Sequence, residues 1–379
     1  MKFYKKAILP LGFKANGLAC GIKKSGKLDL ALFYSQSPAR ASCKFTTNKI
    51  QAAPLKVNKK HLRINREYRA IIANSGNANC FTGDLGILDA QETVRALAEF
   101  MHINKTSVLA ASTGIIGRRL TVYKIKNAIP NLVKGLSKNG IDKAKKAIMT
   151  TDKFAKEITV KFNLGGKTVT VCGVAKGAGM IAPDMATMLA FIFTDAQITQ
   201  DALDKALTSA VEGSFNCITV DGCMSTNDSV IVLANGASKN TLIAQKSRHF
   251  PLFSQALNTA CLELAKLIVT DAEGATKFIR IKVSGARNFS EAKKAALAIA
   301  NSNLFKTAVY GQNPNFGRIV SSIGASGIEV KEEDLKIRVS SLKRKSIDVD
   351  VDIKRGFSCA VVYTSDLTPE YVRINAEYN

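Results

Sequence analysis

Apolar and polar positions along the chain alternate between two patterns. LDLALFY (28–34), AIIA (70–73) and SVLAASTGIIG (107–117) are short apolar runs bounded by glycine and polar clusters, which predicts strands. ITVKFNLGGKTVTVCGVAKG alternates and turns at Gly165-Gly166, the pattern of a hairpin that delivers Lys176 to the next segment. MLAFIF (188–193) is apolar without interruption, as in a strand buried on both faces, and is expected at the centre of a sheet between neighbours that precede it in sequence. FNCITVDGCMSTNDSVIVLANG reads as strand, loop and strand. A helical period appears elsewhere. Asp89 and Glu92 form a capping box ahead of Val94, Leu97, Ala98 and Met101 on one face. Further helices are expected over about 139–149, 201–211, 251–268 and 290–300, the third burying Leu257, Cys261, Leu264 and Ile268. Mixed helices and strands define an α/β (α+β) class. No repeat or low-complexity linker marks the domain edges. They are placed near 195 and 277, giving segments 1–195, 196–277 and 278–379.

Composition narrows the function classes. A chain of 379 residues with 46% hydrophobic content buries a substantial core. No apolar run approaches the roughly 18–20 residues that cross a bilayer. Pro10, Gly12 and Lys14 interrupt the first apolar patch, so no export signal is read. The eight cysteines are scattered singly, the usage of reduced thiols in a cytoplasmic protein. A net charge of +24 raises nucleic-acid binding as a reading. Against it, Lys143/Lys145/Lys146 and Lys343-Arg344-Lys345 are short clusters without interleaved aromatics. The favoured reading is a solvated basic surface.

Candidate chemistry centres on GVAKGAGMIAPDMATML, 173–189. Gly173, Gly177 and Gly179 loosen the backbone around Lys176, and Pro183 stiffens it ahead of Thr187. Taken alone, Thr187 reads as no more than the first β-branched residue of a strand. The three histidines, His61, His102 and His249, all lie outside glycine-rich loops. That argues against a histidine-based triad and against a histidine metal site. An N-terminal threonine carries its own base, because an α-amine near pKa ~8 can deprotonate its hydroxyl. Thr187 is internal, so the Ala186–Thr187 bond would first have to break. Attack of the hydroxyl on the Ala186 carbonyl gives an ester by N→O shift, and hydrolysis frees the amine. Gly114 and Gly117 sit where backbone N–H groups can hold an oxyanion, although a simple turn fits equally.

KGAGMIAPDMATML resembles the signature of the ornithine acetyltransferase family, the glutamate N-acetyltransferases. NSGNANCFTG, STGIIG, MTTD, FNCITVDGCMSTND, TDAEGATK, YGQNPNFGRI and the tail INAEYN resemble its other blocks in the same order. The resemblance implies a layered α-β-β-α sandwich of the self-processing aminopeptidase/ornithine acetyltransferase kind, with a smaller C-terminal α/β domain. It implies cleavage at Ala186–Thr187, with Thr187 as nucleophile. Thr113 and Gly114 match the oxyanion pair. Thr151, Lys176, Glu273 and Asn375 match substrate-binding positions. The activity implied is acetyl transfer from N-acetyl-L-ornithine to L-glutamate by a ping-pong route through acetyl-Thr187. No cofactor or metal is implied, while acetyl-CoA is a second donor in bifunctional members. The two cleaved chains are expected to stay together, two of each forming a heterotetramer. Asp184, Ala178, Cys223 and Phe316 depart from the usual asparagine, serine, aspartate and tryptophan. The family usually ends with a substrate-touching hydroxyl residue just beyond the position of Asn379, where this sequence stops. Alternative readings are an aminopeptidase or amidase of the related fold and a basic nucleic-acid-binding protein.

Overall fold

The computed structural model describes residues 1–182 and 188–377. Nine strands make the larger sheet: β1 (Lys2–Tyr4), β2 (Phe13–Leu18), β3 (Leu30–Phe45), β4 (Tyr68–Asn77), β5 (Val108–Ile115), β6 (Lys156–Leu164), β7 (Lys167–Lys176), β8 (Leu189–Thr194) and β9 (Ser229–Ala234). Its order is β1-β6-β7-β8-β9-β3-β4-β5, with β2 also on β3. The segment 28–34 expected as a short strand is the start of β3, which runs 16 residues. That length matters. Residues 30–34 of β3 pair with β4, while 40–45 pair with β9. One continuous strand therefore carries the chain from one layer to the other.

Strand alternation then builds the layers. Phe191 and Phe193 of β8 meet Phe33 of β3 between the layers, with ring centroids 5.1 Å apart in each pair. Ile71, Ala73, Leu109 and Ala111 enter the same inner core from β4 and β5. The opposite faces are covered by helices. Ala190 and Ile192 pack with α5 (Gln200–Glu212) and α6 (Phe250–Thr270). Ala70, Ile72, Val108 and Ala110 pack with α1 (Ala53–Ile64), α2 (Gly83–Met101) and α3 (Val122–Lys134). The result is the expected α-β-β-α sandwich. A short α4 (Ile141–Ala147) closes one side of the inner core.

A second sheet, β11-β12-β10-β13, is built from β10 (Phe278–Ala286), β11 (Lys336–Val339), β12 (Ser346–Asp352) and β13 (Ser358–Ser365). Its own core lies under α7 (Phe289–Ala300), α8 (Asn303–Tyr310) and α9 (Gly317–Gly324). Helix α10 (Pro369–Ala376) follows and buries none of its residues.

Three expectations change. The helix expected from Asp89 starts at Gly83, and Asp89 lies inside it. Its carboxylate reaches Arg119 at 3.1 Å instead of capping its own amides. The first strand expected after Phe215 is a 3-10 turn, Phe215–Cys217, with one isolated bridge from Ile218 to Tyr363. Strand β8 was expected between neighbours that precede it in sequence. It has β7 on one side and the later β9 on the other. The turn at Gly165-Gly166 stands as expected, both glycines having φ of +61° and +79°.

Candidate active site

The two layers open into a cleft lined by Thr113, Gly114, Thr150, Thr151, Lys176, Gly179, Ser225, Asn227, Glu273 and Asn375, with Ala78, Ile116 and Met180 at its walls. Residues from seven separate segments thus converge. The cleft contains Thr113, Gly114, Thr151, Lys176, Glu273 and Asn375, six positions singled out from the sequence. The Ala186–Thr187 junction, with Pro183, Asp184 and Met185, lies outside the described residues. Met188, which follows the junction, donates its backbone N–H to Asp228 Oδ1 at 2.9 Å. The β7–β8 ladder ends on the pair Lys176–Leu189, so Lys176 is at the end of the sheet nearest Met188.

Local sequence explains how each group is held. Thr113 is buried on β5, and Lys176 Nζ donates to its Oγ1 at 3.2 Å. That bond occupies a lone pair of the threonine oxygen and leaves the hydroxyl proton available to another acceptor. Gly114 has φ +131°, and an added Cβ would lie 2.4 Å from the Gly76 carbonyl carbon. Only glycine fits there. The β4–β5 register is irregular at Gly76/Asn77, opposite Thr113 to Ile115. Such irregularities interrupt the ladder and re-aim groups at a cleft edge.

Lys176 and Glu273 place opposite charges in the cleft. Burial depresses the Lys176 pKa below the ordinary lysine value, against the pull of Asp152; Lys156 pushes it the same way as burial, while Asp228 and Glu273 oppose. Glu273 follows the C-terminal end of α6. Its backbone N–H donates to Ala178 O at 3.0 Å, and its Oε2 accepts from Asn375 Nδ2 at 2.9 Å. A Cβ on Gly179 would fall 2.2 Å from Glu273 Oε2. The carboxylate therefore rests on the bare backbone of Gly179.

Several organising groups escaped the sequence reading. Asp152 accepts from Gly177 N at 2.7 Å, Thr150 N at 2.9 Å and Lys156 Nζ at 2.5 Å. Burial would raise its pKa, but the charges of Lys176 and Lys156 and the hydrogen bonds from Lys156 and the Gly177 N–H bring it down to about 2. Lys156 also bonds Asp271, whose Oδ2 accepts from Lys153 N at 3.0 Å. Fully buried Asp228 has its pKa raised well above the carboxylate range by burial, despite the Met188 N–H and Lys176. Asp221 accepts from Met180 N at 2.6 Å, Ile181 N at 2.9 Å and the Tyr371 hydroxyl at 3.2 Å. Asn227 Nδ2 donates to Ala78 O at 2.6 Å and Ser112 O at 2.7 Å. A signal existed for the acids. The chain has 30 acidic against 54 basic residues, and MTTD, VDG, STND and TDAEG each place an aspartate in a loop beside an apolar segment.

Comparison with known proteins shows the family of this chain. The model of the ArgJ family matches residues 14–344. A Geobacter sulfurreducens protein named arginine biosynthesis bifunctional protein ArgJ is 44% identical, over 97% of this chain and 98% of its own length. A Methanocaldococcus jannaschii glutamate N-acetyltransferase is 46% identical, over 97% of each chain. A solved structure of the bifunctional ArgJ protein from Bacillus halodurans is 37% identical, covering 48% of this chain and 97% of its own, with a TM-score of 0.45. The chain belongs to the ArgJ family. It is an enzyme, a transferase of arginine biosynthesis.

Proposed function

We propose that this enzyme moves an acetyl group from N-acetyl-L-ornithine to L-glutamate through an acetyl-Thr187 ester, after self-cleavage at Ala186–Thr187. The carrying observation is the gathering of Thr113, Gly114, Lys176 and Glu273 into one cleft at the end of β7, beside Met188. In the first half-reaction the Thr187 hydroxyl attacks the acetyl carbonyl, and the Thr187 α-amine takes its proton. The Thr113 hydroxyl and the Gly114 N–H stabilise the oxyanion. The C–N bond breaks, ornithine leaves with that proton on its amine, and the acetyl ester remains. The glutamate amine then attacks the ester, forming N-acetyl-L-glutamate and restoring the Thr187 hydroxyl.

Substrate recognition follows from the paired charges. Lys176 receives an α-carboxylate, while Glu273, steadied by Asn375, meets an ammonium or assists proton movement; Thr151 adds a hydroxyl. No cofactor enters this route. Acetyl-CoA is an alternative donor, read out as acetylglutamate formed without acetylornithine. The cleaved chains remain associated, two of each in a cytoplasmic heterotetramer.

Intact-mass spectrometry in denaturant tests the reading. Fragments 1–186 and 187–379 are expected, and brief exposure to acetylornithine should add one acetyl group to the fragment beginning at Thr187. Acetylglutamate should exceed free acetate among the products. A fully active uncleaved chain would overturn the mechanism, and acetate as the main product would make the enzyme a hydrolase.

A further inference from the structure

Of the sequence blocks that resemble the family, YGQNPNFGRI alone contributes no residue to the catalytic cleft. It builds a different cavity. Gln312, Asn313, Pro314, Asn315, Phe316 and Ile319 line a hollow of about 310 Å³ in the C-terminal unit. Such a volume lies at the lower end of small-molecule sites. Its floor is apolar, formed by Phe305 and Val309 of α8, by Val339 of β11 and by Leu342 in the turn that follows. Phe316 remains 47% exposed, which leaves its side chain open to a flat partner. Three carboxamides, Gln312, Asn313 and Asn315, stand with Ser340 and Ser341 around this apolar floor.

The rim is positively charged. Lys343 lines the cavity, and Arg344 and Lys345 follow it in the same exposed turn. Lys277 adds a fourth cation, with its Nζ 3.0 Å from Leu342 O and 2.8 Å from Arg344 O. No acidic residue lines the cavity among the described residues. Asp348 flanks Ser340 on β12, but its carboxylate is engaged by Arg280 at 3.3 Å. An apolar slot with an open aromatic face, amide groups that match a base edge and a cationic rim has the chemistry of a nucleotide site.

We propose that this cavity binds a nucleotide, with its base stacked on Phe316 and its phosphates on the Lys343-Arg344-Lys345 turn. It shares no residue with the acetyl-transfer cleft, so it stands apart from the reaction proposed above. Calorimetric titration of the processed enzyme with ADP should show saturable binding that weakens as salt rises. Phe316→Ala should weaken ADP binding by roughly ten-fold, as expected for loss of base stacking. Phe316→Trp should preserve it, which separates stacking from a folding defect. Lys343→Ala with Arg344→Ala should weaken binding and flatten its salt dependence. Thr113→Ala should leave ADP binding unchanged. Absence of saturation at millimolar ADP would overturn the proposal. So would equal binding of inorganic phosphate with no effect of Phe316→Ala, which would reduce the site to a bare anion patch. Binding of single-stranded RNA without binding of ADP would replace it by a nucleic-acid surface.

Discussion

Among single residues, the pair Thr113 and Lys176 decides most. Lys176 donates to Thr113, so the hydroxyl can in turn donate toward the cleft. Thr113→Ala is expected to slow acetyl transfer by roughly 10²–10³-fold, the range for one lost oxyanion donor. Near-normal turnover in the processed variant would remove Thr113 from the mechanism. Lys176 also sets a pH limit. Burial, the dominant influence, favours its neutral form, so its proton is lost at a lower pH than that of an ordinary lysine. If the ammonium holds the glutamate carboxylate, kcat/KM for glutamate should fall on the alkaline side, with a midpoint below 10.5. A profile flat up to pH 10.5 would show that Lys176 does not bind substrate as a cation.

At the scale of elements, α10 is held by polar ties. Thr368 Oγ1 donates to Gly274 O at 2.7 Å, the Tyr371 hydroxyl reaches Asp221, and Asn375 reaches Glu273. Asp221 also holds Met180 and Ile181, the last described backbone before Ala182 and the junction. One carboxylate therefore couples the cleft loop to the helix that presents Asn375. Lys306 of α8 lies behind this clamp, donating to Val220 O, its pKa pulled down by burial to about 8 against the attraction of Asp221 and Asp366. Tyr371→Phe removes one hydrogen bond, worth about 1 kcal/mol. Steady-state kinetics should show KM rising by about three- to ten-fold with kcat little changed. A drop in kcat alone would place Tyr371 in the chemical step.

On the scale of the whole molecule, the junction is followed by strands at the middle of the larger sheet. Strands β8 and β9 sit between β7 and β3, both of which precede the junction. Six register pairs join β7 to β8 and six join β3 to β9. Ala190, Ile192, Leu189, Phe191 and Phe193 are fully or nearly fully buried on the two faces of β8. Separating the fragments would expose both cores. After cleavage, chains 1–186 and 187–379 should therefore migrate together in size-exclusion chromatography under native, reducing conditions. Dissociation without denaturant would contradict this sheet order.

Elements whose identity rests on local pattern were readable from the chain. The β6–β7 hairpin follows from alternation and a Gly-Gly turn, β8 from an unbroken apolar run, and α5, α6 and α7 from helical spacing. Six cleft residues, Thr113, Gly114, Thr151, Lys176, Glu273 and Asn375, were legible through blocks whose order and residues resemble a family, while Asn227 and the aspartates around them were not. Helices α1 and α3 went unread, and so did the full length of β3. The layer-crossing part of β3, SPARAS, carries mostly small and polar residues, so its strand character comes from pairing with β9. The true start of α2 was hidden for a related reason. Asp89 looks like a cap locally, but Arg119, thirty residues away, takes its carboxylate. Only the tertiary structure gathers Asp152, Lys156 and Asp271, residues up to 119 positions apart, into one buried cluster. Local spacing determines which backbone shape each segment prefers. Charge pairing across the fold depends on which segments the layers bring together, and that is decided by burial of both faces of β8 and by the single long strand that joins the layers.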